Sequence, residues 1–166
     1  MTTYHQAFKV QSDKVMPIFH DVTDKIKEIL FKSKVKNGIT VVFSQHTTCS
    51  VITQEECHDT TYDNTKYIHQ DLLDILGELI PKCRHEGQYM HPGPKHIKIA
   101  INEFKEQTSW SLNTDAHLQS AIIGRSESIP VIEGRLELGD FGRIYFIDFD
   151  SLRKRERLVH VQIVGE

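Results

Sequence analysis

The sequence predicts an α+β protein built as one domain over residues 1–166. Three observations point there. Segments with strand-like alternation sit at both ends of the chain, helix-period stripes lie between them, and the two kinds do not alternate strictly.

Residues 3–11 open as a strand, with Tyr4, Phe8 and Val10 on a partly alternating face. A long helix is expected over 17–35. Its residues Val22, Ile26, Ile29 and Leu30 fall at i, i+4, i+7 and i+8, one helical face. Asp21 is placed to cap its main body and Asn37-Gly38 to end it. Residues 39–45 read as a strand, with Ile39, Val41 and Phe43 on one face and Thr40, Val42 and Ser44 on the other. His46 continues the second face at the strand's C-terminal end. Residues 49–53 read as the next strand, reached through a tight connection at Thr47-Thr48.

A second long helix over 60–80 carries the stripe Ile68, Leu72, Ile75, Leu76 and Leu79, and Pro81 stops it. The irregular stretch 83–94 ends in the rigid His91-Pro92-Gly93-Pro94. Residues 96–101 are expected as a short strand, and 102–111 carry no clear pattern. A short helix spans 114–123, capped by Asn113 or Thr114 and ended by Gly124. Strands over 128–133, 143–149 and 157–164 close the chain, the first two joined through turns at Gly134 and at Gly139-Asp140-Phe141-Gly142.

Composition narrows the function classes. Hydrophobic residues make up 39% and charged residues 26%, ordinary globular usage that argues against disorder. No apolar run approaches the ~20 residues that span a bilayer, so no membrane partner is expected. No secretory signal is visible at the N-terminus, and the cytoplasm is the expected location. The net charge is −3, which calls for no nucleic-acid partner. The one basic cluster, Arg153-Lys154-Arg155 with Arg157, reads first as a solvated turn between two strands; its sharper reading is a phosphate contact. Cys49, Cys57 and Cys83 are odd in number and form no C-x-x-C pair, so a disulfide framework is not expected.

Ten histidines are many for this length, and the candidate chemistry gathers around a few of them. The run Ser44-Gln45-His46-Thr47-Thr48-Cys49-Ser50 collects hydroxyl and amide groups that suit an anion if they face a pocket; it reads equally as a polar hairpin turn. Asn113-Thr114-Asp115-Ala116-His117 opens a helix whose free N–H groups and dipole favour an anion. They also discourage protonation of His117, which suits a neutral metal ligand. Read alone, it is an ordinary cap followed by an exposed histidine. In Tyr89-Met90-His91-Pro92-Gly93-Pro94 the prolines fix the backbone near His91, or simply stiffen a surface loop. Three neutral imidazoles with water form a common metal-site composition, but the spacing here is long-range and reveals no site by itself. Glu55-Glu56 offers a base, a fourth ligand or a supporting partner, against a plain solvated strand end. Arg125, Arg135 and Arg143 are further candidates for phosphate, or surface ion-pair partners. No Walker, dinucleotide-binding or nucleophile-elbow motif is present.

Taken in order, these pieces resemble one family. His46-Thr47-Thr48 with Glu55, then Tyr89-x-His91, Asn113-x-x-Ala116-His117-Leu118, Gly124, Pro130 and Gly134-Arg135-Leu136-x-Leu138-Gly139 resemble the YjbQ-like family, also labelled the secondary thiamine-phosphate synthase family. The resemblance spans about residues 8–165. It implies an α+β fold with a large curved, mostly antiparallel sheet, two long helices and one short one, assembled as a homotrimer. It implies a metal site on His46, His91 and His117, holding zinc or else magnesium. Glu55 and Asn113 match family positions and are the catalytic candidates; Thr47, Thr48, Thr114 and Arg135 are the candidates for phosphate or ligand. Departures fall at Phe141-Gly142, where the family carries Trp-Gln, at Gln54, His58 and Asp59, and in the long stretch 92–112.

Two functions follow from that resemblance. One is a metal-dependent enzyme on a small phosphorylated metabolite, with thiamine-phosphate synthesis the named transfer. The other is a non-catalytic trimer that captures a metal or a phosphorylated ligand.

Overall fold

A computed structural model describes residues 1–12 and 16–166. The described residues form eight strands and four helices: β1 (Thr2–Ser12), β2 (Ile18–Asp21), α1 (Thr23–Ser33), β3 (Gly38–Ser44), β4 (Cys49–Glu55), α2 (Tyr67–Leu79), α3 (Pro94–Asn102), α4 (Thr114–Ile123), β5 (Ser126–Ile132), β6 (Arg135–Leu136), β7 (Gly142–Asp148) and β8 (Arg155–Gly165). A 3-10 turn, Thr108–Ser111, precedes α4.

All strand pairs are antiparallel. They form a five-stranded sheet in the order β1-β8-β3-β5-β6 and a three-stranded sheet in the order β2-β7-β4. The strands curl into a half-barrel. Its hollow holds the main core. Val42, Ile129, Val131, Val159, Val161 and Ile163 reach in from the five-stranded sheet. They meet Val51, Ile144 and Phe146 from the other sheet and Ile26, Ile29 and Leu30 from α1. β7 is buried on both faces. Ile144 and Phe146 face this core, while Ile147, with Phe149 just beyond the strand, faces a second core against Leu76 of α2 and Ala116 of α4. That explains why its sequence reads as a continuous apolar run.

Three local readings change. Residues 17–35 are not one helix. Ile18–Asp21 pairs with β7, and α1 starts only at Thr23, where the Asp21 carboxylate accepts the Thr23 N–H at 3.0 Å. α1 also ends early, at Lys34 with φ 61°, and Gly38 serves a different purpose from the one expected. A Cβ at Gly38 would lie 2.1 Å from the Val164 carbonyl oxygen, so the glycine permits the close approach of β3 and β8. The second helix begins at Tyr67; residues 60–66 form a turn closed by a Thr60–Lys66 bridge.

Residues 96–101, expected as a strand, lie in helix α3. Pro94 occupies the first turn, where its missing N–H costs nothing, and the Ile97 N–H reaches the Gly93 carbonyl at 3.1 Å. The alternation of Ile97, Ile99 and Ile101 is real, but on a helix it scatters those side chains. Ile99 and Ile101 are exposed and only Ala100 is buried. Helices of 11, 13, 9 and 10 residues therefore replace the expected two long and one short.

Candidate functional site

One end of the half-barrel gathers the chain's densest polar cluster. β3 ends at Ser44, whose hydroxyl accepts the His46 N–H at 3.1 Å, and the Cys49 N–H returns to the His46 carbonyl at 3.1 Å. This tight turn presents Gln45, His46, Thr47 and Thr48. β8 begins across from it. Its inward face carries Arg155 and Arg157 before Val159, Val161 and Ile163, by the period-2 rule. The first turn of α4 adds Asn113 and His117, and the segment before it adds His96, Glu106, Trp110 and Ser111. Together with Arg153 these side chains line a cavity of about 330 Å³.

The arginines are held from behind. Arg157 is 4% exposed and binds Asp148 through two hydrogen bonds, at 2.6 and 3.0 Å, and the Thr48 hydroxyl at 3.1 Å. Burial acts to lower its pKa, yet the Asp148 hydrogen bonds, with the charges of Cys49, Asp148 and Asp150, together raise it. Arg155 pairs with buried Asp150 at 2.8 Å, and Asp150 also accepts the Asn113 amide at 3.1 Å. Burial lowers the Arg155 pKa, with Arg157 and Arg153 adding to it against Asp150. Arg153 pairs with Glu106 and lies over the Trp110 ring at 4.2 Å. The plain reading of this basic cluster as a solvated turn is thus overturned. Asp148 and Asp150 stand behind the guanidinium groups, and among the described residues Glu106 is the one carboxylate lining the cavity. Arg153 Nε, Arg155 Nε and Ser111 Oγ are buried without a hydrogen-bond partner among the described residues, so the cluster is short of acceptors.

Three of the site's histidines are biased towards the neutral form. His46, His91 and His117 all have lowered pKa values, with burial the largest cause in each. Arg157 adds to it at His46, and His96 and His117 at His91. The Thr114 hydroxyl donates to the His91 carbonyl at 2.6 Å, so it accepts from His91 Nδ1 at 2.9 Å. That fixes the His91 proton on Nδ1 and leaves Nε2 with a free lone pair. His46 is the opposite case: its Nε2 accepts the Leu158 N–H at 3.0 Å, so its one lone pair is engaged.

Of the residues singled out from sequence, His46, Thr47, Thr48, Asn113 and His117 line the cavity, together with Arg153, Arg155 and Arg157 of the basic cluster. His91 and Thr114 stand beside it, with the His91 ring 5.6 Å from His117. His96, which sequence reasoning passed over, lies nearer to His91, at 4.7 Å. Glu55 and Arg135 are not brought in. Glu55 ends β4, about 20 Å of strand away from the turn that holds His46. Arg135 is exposed on β6 beside Glu133. Among the described residues, no three His, Cys, Asp or Glu side chains are arranged to hold a metal ion. The donor set as it stands does not fit a three-histidine centre, since the His46 lone pair is taken.

Fold and cavity define an antiparallel α+β protein with a basic, histidine-lined pocket at one end of a curled sheet. The chain belongs to the YjbQ-like UPF0047 family, whose model matches residues 6–166. A UPF0047 protein of Methanocaldococcus jannaschii is 28% identical over 151 residues, covering 88% of this chain and 84% of the relative. A solved hypothetical protein of Aeropyrum pernix is 29% identical with a TM-score of 0.72, covering 98% of this chain and 99% of that one. An uncharacterized YjbQ/UPF0047 protein of Clostridium acetobutylicum is 28% identical with a TM-score of 0.68, covering 97% and 99%. No helix of the described residues is long and apolar enough to cross a membrane.

Proposed function

We propose that the cavity binds a small phosphorylated metabolite and acts on it. The observation that carries this reading is the pair Arg155 and Arg157 at inward strand positions, anchored from behind by Asp150 and Asp148. Guanidinium groups held this way offer preorganised donors to phosphate oxygens, and hydroxyls of Thr47, Thr48 and Ser111 supplement them. The reaction class we favour is transfer with expulsion of pyrophosphate, of the thiamine-phosphate synthase type. There the arginines stabilise the negative charge growing on the leaving group. The neutral ring of His117 in the cavity wall and the free Nε2 of His91 beside it are available to hydrogen-bond and orient the substrate.

A divalent ion, zinc or magnesium, belongs to the same proposal as a secondary element. When bound it would neutralise phosphate charge. His91 and His117 would hold zinc, and His46 would join only after releasing the Leu158 N–H, whereas magnesium would take oxygen donors of the phosphate itself. A homotrimer in the cytoplasm completes the proposal; the three free cysteines suit that compartment. The competing reading is a non-catalytic trimer that captures the same ligand.

Calorimetric titration with inorganic pyrophosphate, followed by turnover assays with the pyrimidine diphosphate and thiazole phosphate precursors, separates these readings. Saturable pyrophosphate binding with turnover supports the enzyme. Binding without turnover supports the capture protein, and absence of binding removes the phosphate reading altogether.

A further inference from the structure

A second cavity, of about 430 Å³, shares no lining residue with the first. It lies between β2, the turn before α2, the first turn of α2 and β7. Phe19, His69 and Tyr145 form an aromatic wall. Phe19 stacks on His69 at 4.0 Å with an interplanar angle of 8°, and Tyr145 meets His69 edge-on at 4.5 Å. Met16, Pro17 and Ile18 add apolar surface.

One cation serves this wall. Lys66 Nζ donates to the Tyr145 hydroxyl at 3.0 Å and lies 5.4 Å from the Tyr145 ring centroid. Among the described residues no carboxylate pairs with that ammonium. Two ammonium protons and the Tyr145 O–H therefore remain as converging donors. The two carboxylates at the rim are already committed. Asp21 binds Arg143 at 2.8 Å and the Thr23 N–H at 3.0 Å; Asp63 accepts the Thr61 hydroxyl and the Thr65 N–H. They would repel a dianion more than a monoanion. Lys66 caps a 13-residue helix, whose N-terminal dipole adds positive potential.

His69 points independently to a ligand. It is 3% exposed, and its Nε2 has no hydrogen-bond partner among the described residues. Leaving such a group unsatisfied costs about 1–3 kcal/mol, a cost that a bound polar group would offset. Burial, with Lys66 nearby, pushes its pKa down to about 4, so it meets a ligand as neutral imidazole.

We propose that this cavity binds a small monocarboxylate with a planar apolar body, the carboxylate on Lys66 Nζ, the Tyr145 hydroxyl and His69 Nε2, the body against Phe19, Pro17 and Ile18. This site is independent of the phosphate reading of the first cavity.

Benzoate is the probe, followed by amide NMR on the full chain. We expect saturable shifts at Phe19, Lys66, His69 and Tyr145, with a Kd on the order of 1 mM. Benzamide, the uncharged isostere, should bind the wild-type chain at least about tenfold more weakly, and Lys66→Met should weaken benzoate by a similar factor. Neither change should alter pyrophosphate affinity at the first cavity. The proposal is overturned by the absence of saturable shifts up to about 20 mM benzoate. Equal binding of benzoate and benzamide overturns it too, and that comparison needs no variant to fold.

Discussion

The two halves of β8 share a strand, a face and a register, yet they do opposite work. From Val159 to Ile163 the inward positions are apolar, fully buried and packed against the other sheet and α1. At Arg155 and Arg157 the same face carries charges, each backed by a buried aspartate. The difference teaches where a sheet stops being a scaffold. A strand in a core can bury guanidinium groups only when partners are built behind them, because an uncompensated buried charge is expensive. Such an arrangement is kept where the charge meets something in front.

The largest expected effect breaks the charged half. Arg157→Met leaves Asp148 buried and unpaired and should cost about 3–5 kcal/mol of stability, read by urea unfolding. Adding Asp148→Asn should restore much of it; a double variant no more stable than the single one would show that the pair is not the relevant unit. In the apolar half, Ile163→Ala should cost about 2–5 kcal/mol through the lost side chain and the cavity it leaves. A smaller loss would mean that the curled sheet closes over the gap.

A pH effect separates the second cavity from both halves. The His69 pKa falls from 6.5 to about 4 on folding, so the unfolded chain binds its proton first as pH drops. Stability from this residue is therefore intact above about pH 6.5 and is lost as pH falls towards 4. His69→Phe should flatten that part of the stability profile. An unchanged slope would assign the acid sensitivity elsewhere. The smallest effect belongs to exposed charge. Glu28, held at about 2 by Lys25 and Lys32, lies on the solvent side of α1, and Glu28→Gln should leave the unfolding midpoint nearly unchanged.

Much of this was legible in the sequence. The α1 stripe, the β3 alternation, the bounds of α4 and the turn at Gly134 follow from local periodicity and turn chemistry, although the Asn113 side chain binds Asp150 and does not cap α4. The misread parts had competing local signals. Ile18–Asp21 is too short to show a period beside a strong helix, and the isoleucines of α3 alternate like a strand although the Pro94 start selects a helix. For the site, His46, Thr47, Thr48, Asn113 and His117 were found because the chain marks them with turns and caps. Arg155 and Arg157 were named only in a basic cluster read first as a solvated turn, with phosphate contact as the sharper reading, although Arg-Glu-Arg-Leu-Val-His-Val-Gln-Ile-Val places both on the same face as Val159. That parity was the available signal. Glu55 and Arg135 could not be excluded from sequence, because nothing local reports the distance between strand ends.

The central claim is that anchored arginines at the start of β8 make an anion site, and pyrophosphate titration of Arg155→Met beside wild type tests it most directly. Arg155 is the better choice because Asp150 keeps the Asn113 amide at 3.1 Å and Arg157 at 4.0 Å when Arg155 is lost, so its removal should cost less stability than Arg157→Met. The account predicts binding to wild type that weakens at least about tenfold in Arg155→Met, both titrated under conditions where unfolding curves show each chain folded. Equal affinity in the two folded proteins would contradict it.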